Sequence, residues 1–142
     1  MKLRFALISV MLAILFLLPS CLVTSRDINV DISCDQFSVH NNIRNDFQVE
    51  IGDKIRVKLC SNPTTGCEWE YAMSVENVLR EEDHDFEEPE SGVLGAAGIE
   101  VWTFEAVGEG KTELRLEYSC PQQGSEKAQW TYTMNVTVEQ NP

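Results

Sequence analysis

The chain has 142 residues, with 23 acidic against 11 basic side chains and a formal net charge of −12. Such an acidic chain is poorly suited to nucleic acids, because binding to phosphates depends on lysine and arginine. The length is sufficient for one domain with one hydrophobic core and is short for two. These properties predict a single-domain protein that does not bind nucleic acid.

The N-terminus has the form of a secretory signal. A basic start, Met1–Arg4, precedes an apolar run from Phe5 to Leu18. This run is too short to favour a membrane span and has the length of a signal-peptide core. Residues 1–20 are therefore predicted to be removed on export.

The end of this signal segment is similar to a bacterial lipoprotein processing site. Ser20 precedes Cys21 after an aliphatic stretch, which makes Cys21 a candidate lipidated N-terminus. Ordinary signal-peptidase cleavage near Ser20 is the alternative. Residues 21–27 would form a tether, and we expect an exported protein, either a cell-surface lipoprotein or a secreted one. Contact with a membrane is expected only through a lipid on Cys21.

Four further cysteines lie in the exported part: Cys34, Cys60, Cys67 and Cys120. An even number of cysteines in an exported chain predicts disulfides. Four cysteines allow three pairings, and their spacing does not choose among them. A zinc site built from them is disfavoured, since no two are separated by the short spacing that zinc ligands usually show.

Alternating apolar and polar residues predict short strands along most of the chain. The segments are Ile28–Ile32, Phe47–Ile51, Ile55–Leu59, Trp69–Tyr71, Ile99–Ala106, Leu114–Tyr118 and Trp130–Val138. With turn signals between the strands and no convincing helix, this pattern predicts an immunoglobulin-like antiparallel β-sandwich. We place the domain at residues 28–139, followed by a short tail, 140–142. The acidic run Glu81–Glu90 is predicted to be a solvated loop, because like charges resist packing.

The octapeptide Cys60–Cys67 reads Cys-Ser-Asn-Pro-Thr-Thr-Gly-Cys and separates two predicted strands. Pro63 fixes its own φ and Gly66 permits a positive φ, so the loop should be rigid. Its two threonines offer stiff side chains with hydroxyl groups. An ordinary inter-strand turn is the alternative. A sandwich gathers alternate loops at one end, which would bring this loop together with those around Gly95 and Pro121.

Three segments follow one another along the chain: Leu59–Gly66 followed by Trp69, the glycine-rich stretch Leu94–Gly98, and Tyr118–Pro121. In this order they resemble the chagasin-type inhibitors of papain-like cysteine proteases. The resemblance covers roughly residues 28 to 139 of the chain. It implies a monomeric, cofactor-free inhibitor whose three loops occlude the active-site cleft of a papain-like cysteine protease. The central loop would cover the catalytic Cys and His while its neighbours contact the cleft on either side.

The resemblance also implies which residues contact the protease. They are Asn62, Pro63, Thr64, Thr65, Gly66, Cys67, Leu94, Gly95, Ala96, Ala97, Gly98, Cys120, Pro121 and Gln122. Cys67 stands where the family has an aromatic residue, and Cys120 and Gln122 stand where it usually has an arginine and an aromatic residue. Losing an arginine and an aromatic, which are common interface hot spots, should lower affinity or change the target.

The positions of these replacements imply a disulfide pairing. Cys67 and Cys120 fall on loops that the family places side by side, so we predict a Cys67–Cys120 disulfide, with Cys34–Cys60 as the second. A Cys60–Cys67 ring ranks below these, because the two residues should end strands in different sheets.

Two other functions compete with inhibition. A non-inhibitory, surface-anchored binding module would have the same fold, since fold alone does not decide function. An enzyme is disfavoured: His40 and His84 are the only histidines, and neither lies near a convincing nucleophile in sequence. We therefore expect no catalytic activity and no metal.

Overall fold

A computed structural model describes residues 24–89, 92–93, 95–121, 124 and 127–140. The signal segment with Cys21, and also Leu94 and Gln122, lie outside the described residues. Among the described residues, no helix is long and apolar enough to cross a membrane.

In the described part of the chain, eight strands form two four-stranded sheets, which confirms the β-sandwich. The strands are β1 (Asp27–Ile32), β2 (Asn42–Glu50), β3 (Lys54–Ser61), β4 (Glu68–Met73), β5 (Leu79–Glu87), β6 (Gly98–Ala106), β7 (Gly110–Ser119) and β8 (Trp130–Glu139). The first sheet has the order β1-β3-β6-β5 and the second the order β2-β8-β7-β4. Consecutive strands thus often lie in different sheets.

The pairing of the strands corrects one part of the predicted architecture. Four pairs are antiparallel, as expected, but β1 pairs with β3 and β2 pairs with β8 in parallel. The chain runs up β1, down β2 in the opposite sheet and up β3. Because the intervening strand lies in the other sheet, β1 and β3 are neighbours that run in the same direction.

The core lies between the sheets and is built from alternate residues of each strand. On β3 the inward residues Ile55, Val57 and Leu59 are completely buried, as the period of two requires. The same parity directs Ser61 inward at the end of the strand, where it is 1% exposed. The next residue, Asn62, therefore leaves the sandwich at a fixed point.

A short helix, α1 (Cys34–Val39), was not predicted from the sequence. Ser33 caps its N-terminus: its side chain accepts from the Gln36 amide, and its own amide donates to the Gln36 side chain. This capping box was the available signal, but six residues are too few to show helical periodicity. Phe37 on α1 is 1% exposed, so the helix covers the end of the core near the end of β3.

The prediction that Glu81–Glu90 is a loop was wrong, since most of this run forms strand β5. The strand lies at the edge of its sheet, where acidic side chains remain in solvent. Cations on β3 reduce the repulsion between them: Lys54 contacts Glu82 at 2.6 Å and Lys58 contacts Glu87 at 2.9 Å. Edge charges of this kind also disfavour pairing with other chains.

An ion pair fixes β1 against the turn before β3. Arg26 Nη2 lies 2.7 Å from Asp53 Oδ2, and the Asp53 side chain is almost completely buried. Burial opposes its charge, but hydrogen bonds from the Glu50 and Arg26 amides and from the guanidinium lower the pKa of Asp53 below its ordinary value. The pair is therefore charged at neutral pH, and its contribution is lost as the pH falls through the depressed pKa.

Candidate functional site

Three loops meet at the end of the sandwich where β3 terminates. Loop 1 is Asn62–Cys67, loop 2 is the described part of residues 88–97, and loop 3 is the described part of residues 120–129. The Asn62 side-chain amide donates to Gly95 O at 2.9 Å, which joins loops 1 and 2. The Cys67–Cys120 disulfide joins loops 1 and 3. The expected gathering of these loops therefore occurs.

Loop 1 is a single 3₁₀ turn over Pro63–Thr65 that is closed by hydrogen bonds within the loop. Asn62 Oδ1 accepts from both the amide and the hydroxyl of Thr64, at 3.2 and 2.6 Å. The Thr65 hydroxyl donates to Asn62 O at 2.6 Å. Gly66, with φ of 74°, ends the turn in the left-handed region that glycine permits.

These hydrogen bonds determine whether the threonine hydroxyls can donate to a partner. Each hydroxyl hydrogen points into the loop, since a hydroxyl has only one to donate. Neither threonine is thus a ready donor towards a partner. The exposed tip, with Pro63, Thr64 and Thr65 all in solvent, instead offers methyl groups and acceptor oxygens on a fixed backbone.

The base of loop 1 is held by the Tyr118 hydroxyl. This role of Tyr118 was not predicted from the sequence. Tyr118 Oη accepts from the Asn62 amide at 2.9 Å and lies 3.3 Å from Asn62 O. Tyr118 is 2% exposed, and its ring stacks on Trp130 and tilts against Trp69. Phe37 of α1 contacts both tryptophan rings. Loop 1 therefore stands on a packed aromatic cluster.

Two disulfides, Cys34–Cys60 and Cys67–Cys120, connect this end of the molecule. They are the two predicted pairings, and the Cys60–Cys67 ring does not form. Cys60 lies on β3 and Cys67 directly precedes β4, and these two strands belong to different sheets, which the loop bridges. All four thiols are oxidised, so none is present as a metal ligand or nucleophile. Two disulfides in one small domain are typical of an oxidising, extracellular environment.

Two glycines shape loop 2 and its junction with β6. Gly95 has φ of 79°, which places its carbonyl where Asn62 binds it. Gly98 is the first residue of β6 and not part of the loop. A Cβ on Gly98 would lie 2.5 Å from both Glu87 O and the Phe86 ring. Glycine is thus required there for the Phe86 ring to pack beside the loop.

The predicted contact residues in the described part of the chain divide into exposed, half-buried and buried groups, and the half-buried ones are Asn62, Gly66 and Ala96. Pro63, Thr64, Thr65, Gly95, Ala97 and Pro121 are exposed at the loop end. By contrast, the Cys67 and Cys120 side chains are each 5% exposed, so they connect the loops and offer little surface. Loop 3 continues from Pro121 into a turn closed by the Gly124 amide on Pro121 O.

A polar cluster lies behind loops 1 and 2. Ser61 Oγ donates to Glu100 Oε2 at 2.9 Å, while His84 Nε2 lies 2.8 Å from Glu100 Oε1. The His84 ring also stacks on Trp102 with 3.5 Å between centroids. His84 therefore contacts a carboxylate and an indole, and the Ser61 hydroxyl is bonded to Glu100 instead of to the imidazole. This arrangement does not activate a nucleophile.

The two-sheet sandwich presents three connected loops at one end, which is a geometry suited to binding a partner. The sequence matches the family model described as Chagasin family peptidase inhibitor I42 over residues 48–136, which is more than half of the chain. The chain therefore belongs to the chagasin family of peptidase inhibitors. No curated protein matches it.

Solved structures support the same fold. A cysteine protease inhibitor from Entamoeba histolytica, EhICP2, has a TM-score of 0.65 and 19% identity, covering 81% of this chain and 97% of its own. Amebosin has a TM-score of 0.57 and 18% identity, covering 82% of this chain and 99% of its own. PbICP-C, solved in complex with falcipain-2, has a TM-score of 0.57 and 14% identity, with coverages of 81% and 100%.

Proposed function

We propose that this protein inhibits papain-like cysteine proteases by inserting its three-loop end into the active-site cleft. The observation that carries the proposal is loop 1. Its Asn62–Gly66 turn is exposed, closed by its own hydrogen bonds and connected to both neighbouring loops. A generic binding module needs no such turn. Membership of a peptidase inhibitor family and the similarity to an inhibitor solved with falcipain-2 support it.

The geometry of loop 1 fits the chemistry of such an active site. A papain-like enzyme holds a catalytic thiolate beside an imidazolium, and its oxyanion site supplies N–H donors. Donors of this kind match the acceptor oxygens of Thr64 and Thr65, whose hydrogens are used inside the loop. The compact turn keeps its peptide bonds out of attack geometry, so the inhibitor occludes the thiolate without being cleaved.

Rigidity should account for much of the affinity. Ordering a flexible loop on binding costs free energy, and a loop that is already ordered avoids this cost. In this protein the ordering comes from Tyr118 beneath loop 1, Gly95 beside it and the Cys67–Cys120 disulfide. We assign the contact surface to the exposed positions of the three loops, with Leu94 and Gln122 completing loops 2 and 3.

The double variant Thr64→Ala/Thr65→Ala should inhibit papain and a cathepsin L type enzyme much less well than the wild type. Each substitution removes one intraloop hydrogen bond of about 1 kcal/mol and one acceptor that faces the protease. We expect the inhibition constant to rise on the order of 100-fold. Thr137→Ala, on β8 away from the loops, is the matched control and should leave inhibition unchanged. Unchanged inhibition by the double variant would contradict the proposed role of loop 1.

We propose that the protein acts outside the cell. We propose export by cleavage after residue 20, with Cys21 as a lipid attachment point and residues 21–27 as a tether. The two disulfides support an oxidising location. A tether would leave the three-loop end free to meet proteases at the cell surface, with the inhibitor acting as a monomer.

A further inference from the structure

An open cleft lies directly beside loop 1, on the side of β5. Its volume is about 450 Å³, and its lining includes Pro63, Cys67, Glu68, Asp85, Phe86 and Glu100. We call it the side cleft. It begins at Pro63 in the tip of loop 1 and extends towards β5, and none of the family signatures in the sequence includes Asp85, Phe86 or Glu100.

The walls of the side cleft are fixed before any partner binds. The Phe86 ring packs against Gly98, where even a methyl group would not fit. Glu100 is bonded to Ser61 and His84, and the His84 ring is stacked on Trp102. Since Pro63 and Cys67 of loop 1 also line the cleft, it opens onto the same surface that carries the proposed inhibitory loop.

The lining combines carboxylates with apolar surface. Glu68, Asp85 and Glu100 contribute the acidic groups, while Pro63 and Phe86 contribute apolar surface. No lysine or arginine lines the cleft in the described part of the chain, and the histidine in its lining, His84, lies 2.8 Å from Glu100. In the same part of the chain, no ion pair involves Glu68 or Asp85, although Asp85 accepts a hydrogen bond from the Phe86 amide. Glu68 and Asp85 therefore place two carboxylates without an ion-pair partner next to an aromatic ring.

We infer that the side cleft receives a lysine or arginine side chain from the rim of the target protease's active-site cleft. This inference rests on the proposed function, because loop 1 can bring a protease rim against the side cleft only if it enters the protease. An aliphatic stem would lie along Phe86 and Pro63, and the cationic group would meet the carboxylates of Glu68 and Asp85. The side cleft would thus favour proteases with a basic rim.

The test compares two pairs of charge-neutralising substitutions in the disulfide-bonded protein. Glu68→Gln/Asp85→Asn removes two charges from the side cleft, and the side-chain amide oxygen introduced at position 85 can still accept from the Phe86 amide. Glu76→Gln/Glu109→Gln removes two charges from exposed residues in turns at the opposite end of the sandwich. Association and dissociation rates are measured with papain and a cathepsin L type enzyme at about 0.01 M and about 0.5 M salt.

We expect the side-cleft variant to associate roughly tenfold more slowly than the control pair at low salt with at least one of the enzymes. The difference should shrink at high salt, because screening removes the electrostatic attraction. If the wild type inhibits and the two variants behave alike at both salt concentrations, the side cleft has no such role, while the proposed function stands. If the wild type inhibits neither enzyme, both proposals fail.

Discussion

Replacing both Cys67 and Cys120 with serine is expected to lower the free energy of unfolding by about 4 kcal/mol. The disulfide spans 53 residues of sequence, and the chain-entropy model gives this value for a closed loop of that length. For a domain of this size, the corresponding fall in Tm is on the order of 15 °C. Denaturant and thermal unfolding under non-reducing conditions measure both quantities.

The same variant should also lose most of its inhibitory activity at temperatures where it stays folded. Without the disulfide, loops 1 and 3 lose their covalent link beyond the pairing of β4 with β7, so more of both loops must be ordered on binding. Cys34→Ser/Cys60→Ser is the matched control. Its disulfide spans 26 residues and connects α1 to the end of β3, which predicts about 3.5 kcal/mol of lost stability but an intact link between loops 1 and 3. Equal inhibition by the two variants would show that the link between the loops does not matter for binding.

The second large effect is expected for Asn62→Ala. This substitution removes the acceptor of two Thr64 hydrogen bonds and the donor to Gly95 O. At about 1 kcal/mol for each bond, it should weaken inhibition by about 2 to 3 kcal/mol, or on the order of 100-fold. The inhibition constant and thermal unfolding are measured together, because a half-buried loop residue outside the core should affect binding more than global stability.

Asn62→Asp separates the two functions of this side chain. The carboxylate keeps the acceptor for Thr64 but cannot donate to Gly95 O, so its effect should fall between those of the wild type and Asn62→Ala. If Asn62→Asp inhibits as weakly as Asn62→Ala, the hydrogen bond to loop 2 contributes more to inhibition than the bonds to Thr64. Wild-type inhibition by Asn62→Ala would contradict the claim that hydrogen bonds from this side chain hold loop 1 in its binding conformation.

Most of the fold could be predicted from the sequence because buried β-strands alternate with a period of two. Ile55, Val57 and Leu59 show this pattern and are completely buried. Strand β5 could not be predicted in the same way. Its acidic side chains are stabilised by Lys54 and Lys58 on β3, and a contact between strands far apart in the sequence leaves no local signal. The parallel pairing of β1 with β3 depends likewise on which sheet each strand enters.

The candidate site was predictable where it depends on turn chemistry. Pro63 and Gly66 define a rigid turn from the sequence alone, and the structure has that turn. The supports beneath it are tertiary contacts. Tyr118 is 56 residues from Asn62 in sequence, and its position in an alternating strand predicts burial but not the partner of its hydroxyl. The inward direction of the threonine hydroxyl hydrogens could be read only from the folded loop.

The central claim is that the three-loop end covers the catalytic thiolate of a papain-like protease. The most direct measurement is the rate at which a small alkylating reagent, such as iodoacetamide, modifies that thiolate. The four cysteines of the inhibitor domain are in disulfides, so they do not compete for the reagent. A stoichiometric amount of the wild-type protein, well above its dissociation constant, should slow the alkylation of papain strongly, and Thr64→Ala/Thr65→Ala should protect much less. Alkylation at an unchanged rate with the wild-type protein bound would show that the loops do not cover the thiolate.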